Sequence, residues 1–494
     1  MLNLTAVANR SPNAAARFAQ RIALAGLTLY AIFAPHSIAA SWIGLSLLIL
    51  GWLVRTISTR RTGIRRTALD LPLWLFFAWS VLSASTSAEP RISLLKLVSV
   101  STFLIYYLVQ AVITRRTAVL LASLMITSGV AGVVWSIVDV VRGRGVRIET
   151  IAPDSPLRGT TQLQTGDCIW RVNEQRINSM AELTDAIRRA PVGAPLRLSV
   201  ITHGEHVEWT GPAVTDAIKA SQPPAGIYGT ERTHRFRASG WTRHYETFAE
   251  LLQILAQLAL GFALAHLQRR DERASHTRLV VALYAAAFVL LAVGIALTAM
   301  RTVLVAFVVG ACVLLWRGVK QTRARIAVVC IIALVCALGA FAVWRTRASG
   351  ALHLQDASAQ LRFEVARVAL TRIALHPIFG HGMDAVHKHW HEWGFPGTDM
   401  LHAHSTPIQI AFDRGLPALL IWLWLILTFW LTTTRAERIW RTAPDAAAHG
   451  LLLGATGALA GFFASSLVNY NFGDAEVTLM LWWLMGAGVR MNDE

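Results

Sequence analysis

The sequence predicts an all-α polytopic membrane protein with about twelve transmembrane helices, interrupted by a small α+β insert and a helical loop. Three observations predict it. The 494-residue chain is 54% hydrophobic and only 15% charged, against roughly 25% charged in soluble domains. Many windows of roughly 17–25 residues carry no charge, enough to cross a hydrocarbon core of about 30 Å. The net charge is +17, and all but four of the 46 basic residues (Lys96, Lys219, Lys320 and Lys388) are arginine. Such a charge is often read as nucleic-acid binding. Here the arginines stand mostly in short segments between apolar runs, where they orient spans, so the expected partner is a lipid bilayer and not nucleic acid.

The spans are expected at 20–34, 38–54, 68–84, 93–113, 117–140, 244–267, 278–298, 302–316, 325–344, 406–431, 447–469 and 475–489. The first is short. The polar N-terminal stretch enters it without a small-residue cleavage site, so no removed signal peptide is expected. Arginines gather in "RTISTRRTGIRR" (Arg55 to Arg66), "QRRDERASHTR" (Gln268 to Arg278), "RGVKQTRAR" (Arg317 to Arg325) and "TRAERIWR" (Thr434 to Arg441). Arg10, Arg17, Arg21, Arg115 and Arg116 join them. Twelve spans put all of these on one side, the cytoplasm by the positive-inside rule, with both termini there. The expected organisation is helices 1–5 over 1–140, a periplasmic loop over 141–243, helices 6–9 over 244–344, a helical periplasmic loop over 345–405, and helices 10–12 over 406–494. Such a chain belongs in the bacterial inner membrane. Cys168, Cys312, Cys330 and Cys336 show neither zinc nor redox spacing, and no disulfide framework is expected.

The first loop holds "IAPDSPLRGTTQLQTGDCIWRVNEQRINSMAELTDAIRRAPVGAPLRLSVITHGE" (Ile151 to Glu205), which reads strand, turn, strand, helix, strand. Its pieces "LQTGDCIWRVNEQRI" and "AELTDAIRRAPVGAPLRLSVITHGE" resemble a bacterial PDZ-like domain at about 148–215. The resemblance implies a Gly-Asp turn into a buried strand, and a groove that takes an extended peptide by strand addition. A spacer or docking domain without a peptide ligand is the other reading.

In the second loop "DASAQLRFEVARVALTRIALHP" puts Leu361, Val365, Val368 and Leu375 on one helical face, with Arg362, Arg367 and Arg372 mostly elsewhere. Such a helix suits an outer leaflet or the cap of a cavity. Pro377 and Gly380 in "HPIFGHG" end it. Half of the sixteen histidines fall here: His353, His376, His381, His387, His389, His391, His402 and His404. "HKHWHEW" (His387 to Trp393) has metal-like spacing but only Glu392 as a carboxylate, and no HExxH occurs, so a cluster near headgroups is favoured over a metal site. Arg301 opens a span on the side where arginine is disfavoured. Arg362, Arg367, Arg235 and Arg237 belong to the same side, and several guanidinium groups around one cavity would suit a diphosphate.

The series "LTAMR" with Arg301, then Arg362 on a helix, then "HPIFGHG" (His376, Pro377, Gly380, Gly382), then "HAHS" (His402, His404) followed by "FDRGLPALL" (Gly415) resembles the O-antigen ligase and polymerase superfamily over roughly 235–475. The resemblance implies an all-helical, metal-independent transferase without a cofactor. It would move a glycan from an undecaprenyl-diphosphate-linked donor to an acceptor, in the first instance lipid A–core, at the periplasmic face. It assigns His404 as general base, since an imidazole takes a proton near neutral pH. It assigns Arg301, Arg362, Arg367 and Arg237 to the donor diphosphate. His402, His376 and Asp474 are expected in supporting or acceptor-side places. His402 would position its neighbour, and His376 would end the helix before Pro377. Asp356, Glu364, Asp384, Glu392 and Asp399 are scattered, which argues against a covalent glycosyl intermediate. The sequence departs from the family at Val365 or Ala366, where an aromatic is expected, at Ser405, where Asn is common, and in its PDZ-like insert.

Asp413 and Arg414 fall inside an apolar span, where charge is costly. "NYNFGDAE" (Asn469 to Glu476) reads as a short turn, and Gly454 to Gly461 as small-residue helix packing. The alternatives are an O-antigen polymerase or protein O-oligosaccharyltransferase, which a peptide-reading insert would suit, and, in a different class, a non-enzymatic membrane scaffold. An intramembrane protease is disfavoured because no HExxH and no paired Ser and His occur in the spans.

Overall fold

A computed structural model of the protein describes residues 14–158, 161–202, 205–229, 232–234, 236–268, 274–319, 326, 357–397 and 402–491. Expectations on Arg10, the 325–344 span, Cys330, Cys336, Arg235, His353, Asp356 and Asp399 fall outside these residues. Two compact units result: Met1–Gly132 with Trp241–Glu494, and Val133–Gly240.

The first helices are α1 (Ala14–Phe33), α2 (Ile38–Thr59), α3 (Asp70–Ser85), α4 (Pro90–Val100), α5 (Leu104–Val112) and α6 (Arg115–Arg142). The smaller unit adds α7 (Met180–Arg189) and α8 (Asp216–Ala220). The chain continues through α9 (Tyr245–Leu267), α10 (Ala274–Leu297), α11 (Arg301–Gly318), α12 (Ala357–Leu375), α13 (Val386–His389), α14 (Thr406–Trp440), α15 (Ala446–Ser466) and α16 (Ala475–Arg490). Among the described residues eight helical stretches are long and apolar enough to cross a membrane: Ile38–Thr59, Pro90–Val112, Arg115–Arg142, Tyr245–Leu267, Ser275–Leu297, Arg301–Gly318, Thr406–Trp440 and Ala446–Ser466. All eight coincide with expected spans. The expected spans at 68–84 and 475–489 are the shorter helices α3 and α16, and 20–34 falls on α1 except for its last residue. The chain is a multi-pass, all-α membrane protein with a small β-sheet.

Helix α9 is the centre of the larger unit, with residues 247–265 all buried. Small residues make this possible. A Cβ on Gly261 would meet the backbone of Gly454 at 2.4 Å, so α9 and α15 touch backbone to backbone.

The smaller unit is an antiparallel sheet of order β5-β4-β2-β1-β6, with β3 on β2. The strands are β1 (Val146–Ile151), β2 (Cys168–Val172), β3 (Gln175–Arg176), β4 (Pro195–Thr202), β5 (Glu205–Ala213) and β6 (Ile227–Gly229). The Gly-Asp turn forms as its residues dictate. Gly166 takes φ +98°, and Asp167 Oδ2 accepts from Gln164 N at 2.9 Å. Ser179 caps α7 by accepting from Glu182 N. Leu183 and Ile187 of that helix pack with Ile169, Val172, Leu198 and Val200 of the sheet. Cys168 and Cys312 are free thiols, and burial pushes the Cys168 thiol up to about 12, which leaves it unreactive.

Candidate active site

The site is built where α12, the 376–397 segment and the start of α14 meet. Helix α12 buries Val365, Ala369 and Ile373, a stripe at i, i+4, i+8 that packs with Trp390, Trp393, Phe395, Ala403 and Phe412. Of the expected face, Val365 is in this cluster and Leu361 and Val368 pack against it, while Leu375 does not. Leu375, at the last position of the helix, is 62% exposed. Val365 is fully buried there, at the place where an aromatic was expected.

The two glycine motifs explain each other. Helix α14 is broken at Gly415 (φ +79°, ψ 172°), two residues before Pro417. The carbonyls freed by the break need donors. The "HPIFGHG" segment supplies them: His381 N donates to Phe412 O at 2.8 Å and Gly382 N to Asp413 O at 2.9 Å. In return Leu416 N donates to Pro377 O at 2.8 Å. Trp79 Nε1 donates to Arg414 O at 2.9 Å. A Cβ on Gly415 would meet Ile378 O at 1.9 Å, and one on Gly380 would meet the Asp413 carbonyl carbon at 2.5 Å. Both positions therefore require glycine.

The His402–Ser405 turn stands directly before α14. Ala403 is buried in the tryptophan cluster, and its N–H donates to Gln409 Oε1 at 2.7 Å. Asp413 Oδ1 in turn accepts from Gln409 Nε2 at 2.8 Å. Asp413 thus orients the side chain that holds the turn. Its neighbour Arg414 is also buried, with Nη2 3.0 Å from Met383 Sδ and its guanidinium 5.3 Å from the Phe76 ring centroid. His404 adopts φ +51°, a left-handed conformation that non-glycine residues take at a cost of about 1–3 kcal/mol. Such strain persists only where the surroundings over-determine it, and it clusters at functional sites.

His402 and His404 face each other edge to face at 4.4 Å, and His402 lies 5.4 Å from the Tyr470 ring. His402 Nδ1 accepts from His404 N at 3.3 Å, so that nitrogen carries no proton. His404 Nδ1 is buried and has no hydrogen-bond partner among the described residues. Burial is the main cause that lowers both rings, His402 to about 4 and His404 to about 3, and the Arg362 charge adds to both. Both are neutral at pH 7, and Arg362 is close enough to be felt by each.

Other expected residues separate. Arg301 is exposed and opens α11, where a cation opposes the helix dipole and so does not serve the helix itself. The next residue ties that helix end to the site. Thr302 Oγ1 lies 3.0 Å from the side-chain amide of Asn469, whose carbonyl accepts from Thr406 N at 3.1 Å. Arg367 is not brought to the histidine pair. It lines a separate cleft of about 550 Å³ with Glu364, Thr371, Arg372 and Trp393. Arg237 belongs to the smaller unit. His376 follows the end of α12 and is exposed, its ring 4.5 Å from that of buried His381. Asp474 caps α16 by accepting from Glu476 N and Val477 N, and its other oxygen accepts from Thr247 Oγ1, so both oxygens are occupied.

In "HKHWHEW" His389 lies between Glu392 (2.6 Å) and Glu89 (3.2 Å), and those carboxylates raise its pKa. Lys388 pairs with Glu89 at 2.7 Å and Lys96 with Asp384 at 2.7 Å. These charges fasten the 383–393 segment to α4 and the residue before it. Among the described residues no group of three or more His, Cys, Asp or Glu side chains could hold a metal ion.

The sequence reading missed Glu250, Ser465 and Thr406. Glu250 is 1% exposed on α9, and its Oε1 accepts from Ser465 Oγ. A carboxylate inside an expected span was the signal available.

A search of curated proteins found no match for the chain. The family model for O-antigen ligase matches residues 286–423, which enclose Arg301, Arg362, both glycine motifs and the histidine pair. Over that stretch the chain is similar to the O-antigen ligase family.

Proposed function

We propose that the protein is an inner-membrane glycosyltransferase that moves O-antigen glycan from undecaprenyl diphosphate to lipid A–core at the periplasmic face, with His404 as general base. The observation that carries this reading is the strained, neutral His404 beside Arg362 in a turn pinned on both sides. The acceptor hydroxyl oxygen forms the new bond to the anomeric carbon. The bond from that carbon to the diphosphate oxygen breaks, the diphosphate leaves with the electron pair, and the hydroxyl proton passes to the imidazole. One displacement inverts the anomeric centre.

Arg362 and Arg301, the latter at a helix N-terminus, stabilise the departing diphosphate. Burial is the main cause that holds His404 down; a diphosphate beside Arg362 offsets the smaller contribution of that charge, so donor binding makes the base stronger. The step as written uses no metal. The PDZ-like resemblance of the smaller unit's sequence supports one second reading, transfer to protein.

The test uses purified protein in detergent with EDTA, a lipid-diphosphate glycan and lipid A–core, and follows the acceptor on a gel. His404→Ala is expected to cost about 10²–10⁴-fold in rate. Equal transfer by both proteins removes His404 from the mechanism. Transfer only to glycan or protein acceptors would replace the ligase reading by its alternatives.

A further inference from the structure

We infer that Glu250 is a positioning residue of the transfer site: its buried carboxylate anchors a hydrogen-bonded hub that fixes the His404 turn and the Arg301 end of α11 relative to each other. The inference rests on the proposed glycan transfer.

Glu250 sits on the most buried helix of the bundle and makes no ion pair among the described residues. If packing were the need, a leucine would serve better, because a buried carboxylate is costly unless its oxygens are used. They are used, in two directions. One runs from Oε1 through Ser465 Oγ to the Asn469 side-chain amide 2.9 Å away, and on to Thr302 Oγ1, next to Arg301. The other runs from Oε2, which accepts from Asn471 Nδ2 at 3.4 Å, to Asn471 Oδ1, which lies 3.1 Å from Thr406 Oγ1. The single Thr406 hydroxyl proton is shared between Asn471 Oδ1 and the main-chain carbonyl of Asn469, each 3.1 Å away, which ties the two branches. Thr406 is two residues from His404, and Thr302 is one from Arg301. Ser465, Asn469, Asn471 and Thr406 are all at most 4% exposed, so water does not compete for these bonds.

A satisfied buried network has few alternative arrangements, and so it is suited to hold two reacting partners at a fixed separation. Fixed separation is what this reaction needs. The base must meet the acceptor hydroxyl on one face of the anomeric carbon while the cation meets the diphosphate on the other.

The experiment compares full-length Glu250→Ala, Glu250→Gln and Thr406→Val proteins in detergent with wild type. Misplacement of about 1 Å costs about a hundredfold in rate. Glu250→Ala and Thr406→Val are therefore expected to lose up to about a hundredfold in kcat with donor KM nearly unchanged. Their double variant should lose little more than the worse single, because both cut one network. Glu250→Gln keeps one of the two acceptor oxygens and should fall between Glu250→Ala and wild type.

A second measurement does not depend on transfer. Carbethoxylation of His404 by diethyl pyrocarbonate is read by peptide mass spectrometry against exposed His276, which opens α10. The His404-to-His276 ratio should rise in Glu250→Ala and in Thr406→Val. If Glu250→Ala does not fold, Thr406→Val carries the test. A folded Thr406→Val protein with wild-type kcat and wild-type labelling overturns the hub. Wild-type protein that transfers no glycan to any acceptor overturns the proposed function, while the labelling ratio still decides the hub.

Discussion

Two fully buried carboxylates mark the two ends of helix α11, and they are handled in opposite ways. Near its last turn, Glu437 of α14 accepts from Arg317 at 2.6 Å and Arg441 at 2.9 Å, and lies 3.0 Å from His449. Near its first turn, Glu250 of α9 meets only hydroxyl and amide donors. The eighteen residues between span about 27 Å at roughly 1.5 Å per residue, close to a bilayer core. The charged end locks α11, α14 and α15 together with guanidinium groups, and by the positive-inside reading it is the cytoplasmic one. The other end meets only hydroxyl and amide donors, so among the described residues the hub holds no ion pair.

The largest expected effect tests this contrast with one chemical change at both ends. Glu437→Gln removes the anion that two guanidinium groups share, and it should cost about 3 kcal/mol, read as a lower unfolding midpoint in detergent. The transfer rate per folded molecule should not change. Glu250→Gln replaces a carboxylate that has no cation to lose, and it should cost less than about 1 kcal/mol in stability. Equal destabilisation by both would break the comparison and make Glu250 a structural lock like Glu437.

What the sequence revealed follows the same division. Spans and arginine clusters were legible because period, length and charge are local properties. Eight expected spans match the bundle, and 68–84 and 475–489 exist as shorter helices. The histidine pair and Arg362 were legible because they stand in one short ordered series. The hub was not, because Glu250, Thr302, Thr406, Ser465 and Asn471 come from segments that meet only after folding. "NYNFGDAE" read as a turn, which it is, but Asn469 and Asn471 point their amides at side chains far away in sequence. The buried face of α12 was legible except at its C-terminal end. Leu361, Val365 and Val368 pack as their spacing predicts, while Ala369 and Ile373 extend the stripe against the tryptophans and Leu375 stays exposed. Arg367 was grouped with Arg362 by sequence proximity. Five residues on a helix turn through about 500°, which leaves the two on different faces.

That separation gives the smallest and sharpest prediction. Arg362 depresses His404, which burial already holds at about 3, so the base stays neutral well below the ordinary histidine value near 6.5. Protonation removes a general base as pH falls through its folded pKa, so wild-type kcat/KM should stay level from pH 8 to about 5. Arg362→Ala removes one of the charges that disfavour protonation. Its acid limb should move up in pH, and its donor affinity should fall by about tenfold, the order of one lost charge-assisted contact. Arg367→Ala, in the separate cleft, should leave the limb where wild type has it and change donor KM by less than about twofold, as expected for an exposed charge. If Arg367→Ala instead moves the limb and Arg362→Ala does not, the faces of α12 are assigned the wrong way round. The donor would then lie in the cleft beside Trp393.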